Sequence, residues 1–176
     1  MSKDSIKILD TERLSLSVIT LDDAAFYLEL INDPTWIANI NDKGIRTLEA
    51  AQESILNGPI ASQNKNGFSL YVVRRQHDNV AMGMCGLIKR DTLNDVDIGY
   101  ALLPQYVSQG YALEAASAVV QYAHKVLGLA KLAAITWPDN QRSNQLLEKI
   151  GFIFEKVTVL QGEERDTNLY GLQFSP

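Results

Sequence analysis

The chain has 176 residues, 46% of them hydrophobic and 21% charged, and its 21 acidic against 16 basic side chains give a formal net charge of −5. That length suits one domain over residues 1–176, and a chain of this size buries roughly 70% of the surface its unfolded form exposes, so its core needs no metal or disulfide staple. The composition excludes a disordered or collagenous chain and a disulfide scaffold, no apolar run reaches the roughly 18 residues of a membrane span, and the acid excess disfavours a nucleic-acid partner. Met1 to Asp10 carry no apolar leader core, and the single cysteine, Cys85, has no internal partner, so a cytoplasmic location is expected.

Arg13 to Val18 alternates Leu14, Leu16 and Val18 with Ser15 and Ser17, the period of a half-buried strand. Thr20, with Asp23 three residues on, predicts a helix N-terminus with a reciprocal cap. Leu21, Ala24, Ala25, Leu28 and Ile31 then share one helical face until Pro34 stops the helix. A loop over 36–46 leads to a second cap at Thr47. The helix after it carries Leu48, Ala51, Ile55 and Leu56 on one stripe and is expected to end at Gly58-Pro59. Residues 68–75 and 82–89 read as an antiparallel hairpin around the polar turn Gln76-His77-Asp78-Asn79, and 97–103 as a further strand.

From Gly110 to Leu127 apolar residues leave almost no polar face, which predicts a helix buried all round and capped by Gly128. A strand over 131–137, a helix over 140–150 closed by Gly151, and a hairpin of 152–160 with 166–174 complete the chain. The order predicts an α+β domain: a mixed, mostly antiparallel sheet of about seven strands with helices on both faces. Within it, 97–103, 110–127 and 131–137 form a right-handed βαβ unit.

Ser108-Gln109-Gly110-Tyr111-Ala112 sits between that strand and that helix. A helix N-terminus offers about four unpaired N–H groups and a partial positive charge, and the small Gly110 and Ala112 let a phosphate reach the backbone. The same glycine could serve turn geometry alone. No G-x-x-x-x-G-K-[ST] or G-x-G-x-x-G pattern is present, so neither a P-loop nor a dinucleotide site is supported.

The stretch DIGYALLPQYVSQGYALEA (Asp97 to Ala115), followed by WPDNQRSNQLLEKIGF (Trp137 to Phe152), resembles the GNAT N-acyltransferase superfamily, in its ribosomal-protein N-terminal acetyltransferase (RimJ/RimL) branch. TERLSLSVIT, the strand of Gly83 and RDTNLYGLQF fall where that branch has similar segments, so the likeness covers nearly the whole chain. It implies acetyl-CoA as donor, an amine as acceptor and no metal. By the same resemblance Ser108, Gln109, Gly110, Tyr111 and Ala112 bind the pyrophosphate, Leu102 and Leu103 pair with the pantetheine arm, and Asn140 contacts the coenzyme. Val107 departs from the pattern, standing where the family often has Gln, Arg or an aromatic residue.

Acyl transfer from a thioester to an amine needs a neutral nitrogen, donors for the oxyanion and a proton for the leaving thiolate. Many relatives supply that proton from a tyrosine, but Leu147 stands at the matching position here. The resemblance implies Ser143 as a substitute, although a serine at a helix start is also an ordinary cap. Asp97 is the base candidate, with Asp95 as a competitor two residues back. A protein α-amine, with pKa about 7.7–8.0 against about 10.4 for lysine, needs only a weak base. His77, His124 and Cys85 lack a metal-spaced or catalytic partner and read as structural, and Trp36 either lines the acceptor cleft or anchors its loop.

The expected activity is acetyl transfer to a primary amine, with the N-terminal α-amine of a protein or peptide preferred, by a monomer or homodimer. A polyamine or antibiotic acceptor, a silent acyl-CoA-binding module and a nucleotide-binding βαβ protein are the alternatives.

Overall fold

In the computed structural model, which describes residues 5–176, eight strands form one sheet. Residues 1–4, the start of the segment Met1 to Asp10 discussed above, lie outside the described residues. The elements are β1 (Lys7–Asp10), β2 (Leu14–Val18), α1 (Ala24–Ile31), α2 (Pro34–Asn39), α3 (Leu48–Ile55), α4 (Ala61–Asn66), β3 (Leu70–Arg75), β4 (Ala81–Ile88), β5 (Asp97–Leu102), α5 (Tyr111–Lys125), β6 (Lys131–Thr136), α6 (Gln141–Lys149), β7 (Ile153–Val159) and β8 (Asp166–Gln173). The spatial order is β1-β2-β3-β4-β5-β6-β8-β7, antiparallel at every step except β5 to β6.

Strand alternation divides the core into two layers. Leu14, Leu16, Tyr71, Val73, Cys85 and Ile98 point to the side covered by α5 and by Leu147 of α6. Val72, Met84 and Leu103 point to the other side, under Tyr27, Leu30 and Ile31 of α1, Trp36 of α2 and Ile55 of α3. Helices therefore cover both faces, as the α+β expectation required. No helix among the described residues is long and apolar enough to cross a membrane.

Five expectations need correction. The sheet has eight strands against about seven expected, the one not anticipated being Lys7–Asp10, which pairs with β2; so short a strand gains its stability from that neighbour and carries little local signal. The reciprocal cap at Thr20 is present, its N–H donating to Asp23 Oδ2 at 2.9 Å, but the residues after it form a single tight 3₁₀ turn. The buried stripe then starts one turn later, at Ala24, Tyr27 and Ile31, with Leu21 and Ala25 outside it. Part of the expected 36–46 loop is helical, because Pro34 opens α2 instead of only ending α1, and Asp33 caps the new helix. Gly58-Pro59 does not end α3: the backbone widens to a π turn over Leu56–Ile60, which accommodates the proline ring, and runs on into α4 until Gly67 at φ 79°.

The last correction concerns α5. It is not buried all round but packs by one face, with Tyr111, Ala115, Ala116, Val119, Val120 and Ala123 inside, while Leu113 and Val126 are exposed.

The parallel step matters most for function. β5 and β6 pair only at Asp97 with Ala133. Beyond that point they diverge, and the sheet opens as a wedge toward Leu102 on one side and Thr136 on the other.

Candidate functional site

The wedge has one wall with free backbone. Leu103 N–H donates to Met82 O at 2.8 Å, and Ala133 N–H donates to Val96 O at 2.8 Å. Alternation along an antiparallel strand then turns the polar backbone groups of residues 97, 99, 101 and 103 toward β4, and those of Ile98, Tyr100 and Leu102 toward β6. All six residues of β6 pair with β8 on their far side. Leu102 thus presents an N–H and a carbonyl to the wedge that an extended ligand can pair with. Leu103, 3% exposed, sits in the opposite layer with its N–H already bonded. Gly83 lies directly across from Leu102, so close that a Cβ there would meet Ala101 O at 2.2 Å.

The loop of Ser108 to Ala112 lies at the outer end of the same wall. Ser108 takes φ 62° and Gly110 φ 83°, both left-handed, and Gly110 occupies the N-cap position of α5. The N–H groups of Ser108, Gln109, Gly110, Tyr111 and Ala112 have no backbone acceptor among the described residues. Ser108, Gln109 and Gly110 are exposed, whereas the Tyr111 ring is buried. Unpaired N–H groups at a helix start form a set of donors able to hold an anion.

Arg13, which the sequence marks only as the start of a strand, sets a cation against this loop. Arg13 Nη1 donates to Gln109 O at 3.0 Å, its Nε donates to Glu114 Oε2 at 2.7 Å, and its guanidinium lies 4.3 Å from the centre of the Tyr111 ring. No local pattern announces it, since its partners lie about a hundred residues away along the chain.

On the α6 side, Asn140 caps the helix, its Oδ1 accepting from Ser143 N–H at 3.3 Å. Its Nδ2 is left for any ligand contact. Ser143 Oγ lies 2.7 Å from the hydroxyl of Tyr100. Leu147 is 1% exposed and fills the core beneath α6. Tyr100 was missed because an aromatic residue in a strand ordinarily signals packing. Burial lifts its phenol well above the usual range, and the Ser143 bond only partly offsets this.

Asp97 stands where the wedge closes. It is 1% exposed, Arg90 Nε donates to its Oδ2 at 3.3 Å, and Oδ1 has no partner among the described residues. Burial pushes its carboxyl up to about 6 against the opposing pull of Arg90. Its parity on β5 matches Ala101 and Leu103, which face the layer of α1 to α3, whereas Tyr100 faces α5. Asp97 and Ser143 therefore approach the wedge from opposite layers.

Asp95 is off the strand and lies 3.8 Å from Lys131 Nζ. His77 is an exposed turn residue 3.6 Å from Asp78, and His124 stacks on Phe174 with ring centres 4.5 Å apart. Cys85 is buried, and burial raises its thiol pKa far above the ordinary range. Trp36 lies in the α1–α3 layer within α2. Among the described residues there is no cluster of three or more His, Cys, Asp or Glu side chains that could hold a metal ion.

Comparison with known proteins fits this geometry. Residues 13–153 match the family described as "Acetyltransferase (GNAT) domain". The chain is similar to the "Uncharacterized N-acetyltransferase YoaA" of Bacillus subtilis, 29% identical over 171 residues that cover 94% of this chain and 96% of the relative. A GNAT-family acetyltransferase structure from Bacillus anthracis is 26% identical, with TM-score 0.77 over 96% of this chain and 98% of that one. The structure of RimL, a ribosomal-protein alpha-N-acetyltransferase, in complex with coenzyme A, superposes with TM-score 0.81 at 18% identity, covering 95% of this chain and 97% of that one.

Proposed function

The chain belongs to the GNAT acetyltransferase family, and from that premise we propose that its acceptor is the N-terminal α-amine of a protein or peptide. The chain is an acetyl-CoA-dependent N-acetyltransferase, and the reaction moves an acetyl group to an amine. One domain over residues 1–176 carries it, a reading supported by the unbroken sheet from β1 to β8. A reducing cytoplasm is the proposed location, in keeping with the buried free thiol of Cys85.

In this proposal the N–H groups of Ser108, Gln109, Gly110, Tyr111 and Ala112 hold the pyrophosphate. The wedge-facing backbone of Leu102 pairs with the pantetheine arm, Leu103 backs that strand from the opposite layer with its own N–H held by Met82 O instead of pairing with the arm, and Asn140 contacts the coenzyme through its amide nitrogen. The unpaired donors of the loop and the unpaired edge of β5 support that assignment. When bound, acetyl-CoA supplies an activated acetyl group on a thioester. Asp97 accepts the proton of the attacking amine, directly or through water, and Ser143 protonates the leaving sulfur.

The observation that carries the acceptor assignment is the placement of Asp97, 1% exposed where the wedge closes with Oδ1 unpartnered among the described residues, a burial that raises its carboxyl to about 6. A base of that strength lies within about two units of an α-amine at 7.7–8.0 but more than four from a lysine-like amine near 10.4. The RimL similarity points the same way, since that protein is an alpha-N-acetyltransferase of a ribosomal protein.

The test is CoA release with N-terminal peptides and with spermidine between pH 5 and 10. The expected profile with peptides rises through about pH 6 and levels near pH 8. Turnover of spermidine with none of any peptide, across a salt titration, overturns the assignment.

A further inference from the structure

Tyr100 comes from β5 and Ser143 from the first turn of α6, 43 residues apart, and the two hydroxyls meet across the wedge. The shorter contact, 2.7 Å between Tyr100 Oη and Ser143 Oγ, lets either hydroxyl donate, and the Ser143 carbonyl at 3.3 Å is the longer alternative acceptor for the one phenol proton. Ser143 Oγ has no other partner among the described residues, while its N–H is held by Asn140. The serine is thus fixed through its backbone by one residue and through its hydroxyl by another.

A serine hydroxyl by itself is a poor acid for a thiolate whose conjugate thiol has pKa about 8.5. A donor placed on Oγ changes this, because the charge left behind as the serine proton departs is taken up by that hydrogen bond, and such charge-assisted bonds are the strong ones. We propose that Tyr100 is a positioning residue for proton donation to the leaving sulfur: its phenol donates to Ser143 Oγ and thereby points the serine proton into the wedge. This rests on the assignment of Ser143 as proton donor. In the step, the amine nitrogen forms a bond to the acetyl carbon, the carbon–sulfur bond breaks with its electron pair going to sulfur, and the Ser143 proton passes to sulfur. The nitrogen sheds one proton through Asp97 to solvent, and Ser143 takes one back from solvent, so no net proton is gained or lost. Leu147 fits this arrangement, since the helix position where relatives carry a tyrosine is packed into the core here, and the phenol is supplied from the strand instead.

The test uses Tyr100→Phe, which removes one oxygen and keeps the ring. Its kcat is expected to fall about tenfold, the equivalent of one hydrogen bond to a developing charge, with KM for acetyl-CoA within twofold of wild type. Ser143→Ala is expected to fall further, and adding Tyr100→Phe to it is expected to change nothing. A readout independent of turnover is calorimetric binding of CoA against desulfo-CoA. Wild type is expected to prefer CoA several-fold, and both variants to lose that preference. If Ser143→Ala loses rate and preference but Tyr100→Phe keeps both, the Tyr100 proposal is overturned and Ser143 stands. If Ser143→Ala keeps both, the Ser143 assignment fails and takes this proposal with it. If the two substitutions multiply, Tyr100 acts only by packing and the proposal is overturned. Absence of any preference in wild type also overturns it, and that measurement needs no variant.

Discussion

Arg13 and Glu114, 101 residues apart, tie the start of β2 to the first turn of α5 by two bonds to one carboxylate: the Arg13 N–H reaches Oε1 at 2.8 Å and its Nε reaches Oε2 at 2.7 Å. Thr11 Oγ1 adds a third at 2.6 Å. Burial alone would lift the Glu114 carboxyl, but the bonds from Thr11 and Arg13 hold it below the usual range. The clasp lies against the loop, whose Ser108, Gln109 and Gly110 are exposed, and it holds the loop in place through the Arg13 bond to Gln109 O, with the cationic end of the ion pair on the loop side.

Arg13→Met keeps the stem and removes the charge and the bonds. Coenzyme affinity is expected to fall five- to tenfold by calorimetry, and more at low salt, because screening weakens the lost charge. Stability is expected to change by less than about 1 kcal/mol, since the pair is partly exposed. Unchanged affinity at low salt would show that the clasp is only a tether.

Gly110 is the one loop residue whose left-handed backbone places a new Cβ near the clasp, 3.2 Å from Arg13 Nη2. Gly110→Ala is expected to lose about 1–2 kcal/mol from the left-handed conformation alone, with part of the CoA-induced rise in Tm retained. Gly110→Glu adds bulk and like charge at the proposed pyrophosphate position, and its Tm is expected to ignore CoA. A normal CoA response in Gly110→Glu would remove the loop from the binding site.

Asp97 links stability to activity through one carboxyl. Its pKa of about 6 in the folded chain exceeds the roughly 3.9 of an unfolded aspartate. The folded state therefore holds the proton more tightly, and stability present below about pH 4 is lost as pH rises through about 6. Two units correspond to roughly 2–3 kcal/mol. Asp97→Asn carries no such penalty, so it is expected to be more stable than wild type at pH 8 by up to that amount, with the gap closing by pH 4. Its activity on an N-terminal peptide is expected to be low at pH 7 and to recover toward wild type at pH 9, where the amine is already neutral. Equal melting curves at every pH would show that Asp97 does not titrate as its surroundings imply.

Gly83 tests the wedge wall from behind. A Cβ at this position would lie 2.2 Å from Ala101 O and 2.8 Å from Leu102 Cα, both backbone atoms that cannot step aside cheaply. Gly83→Ala is expected to cost about 1–3 kcal/mol, the range for overpacking, and to weaken CoA binding because Leu102 carries the free edge. A variant that is destabilised yet binds CoA normally would separate the strand from the coenzyme site.

Much was legible where the signal is local. The alternation of Leu14, Leu16 and Val18 placed β2, the turn at Gln76 to Asn79 placed the β3–β4 hairpin, and Gly110 marked the loop because its backbone conformation is one that few other residues adopt. The boundaries failed where two local rules compete. At Gly58-Pro59 a breaker meets a helix that the core wants continued, and a π turn resolves the conflict. On α5 the small apolar residues satisfy a buried helix and a one-sided helix equally well.

The sequence by itself determined the fold class, the order of the elements other than β1, α2 and α4, and the pairing of a glycine loop with a helix start, because period, capping and backbone freedom act within a few residues. Only the tertiary structure decided that β5 and β6 part beyond Asp97 and Ala133, that Tyr100 reaches Ser143, that Arg13 closes on Glu114, and that Asp97 is buried enough to hold its proton to about pH 6. Each of these depends on groups brought together from distant parts of the chain, and the desolvation and hydrogen bonding that give them their chemistry exist only once the sheet has formed between them.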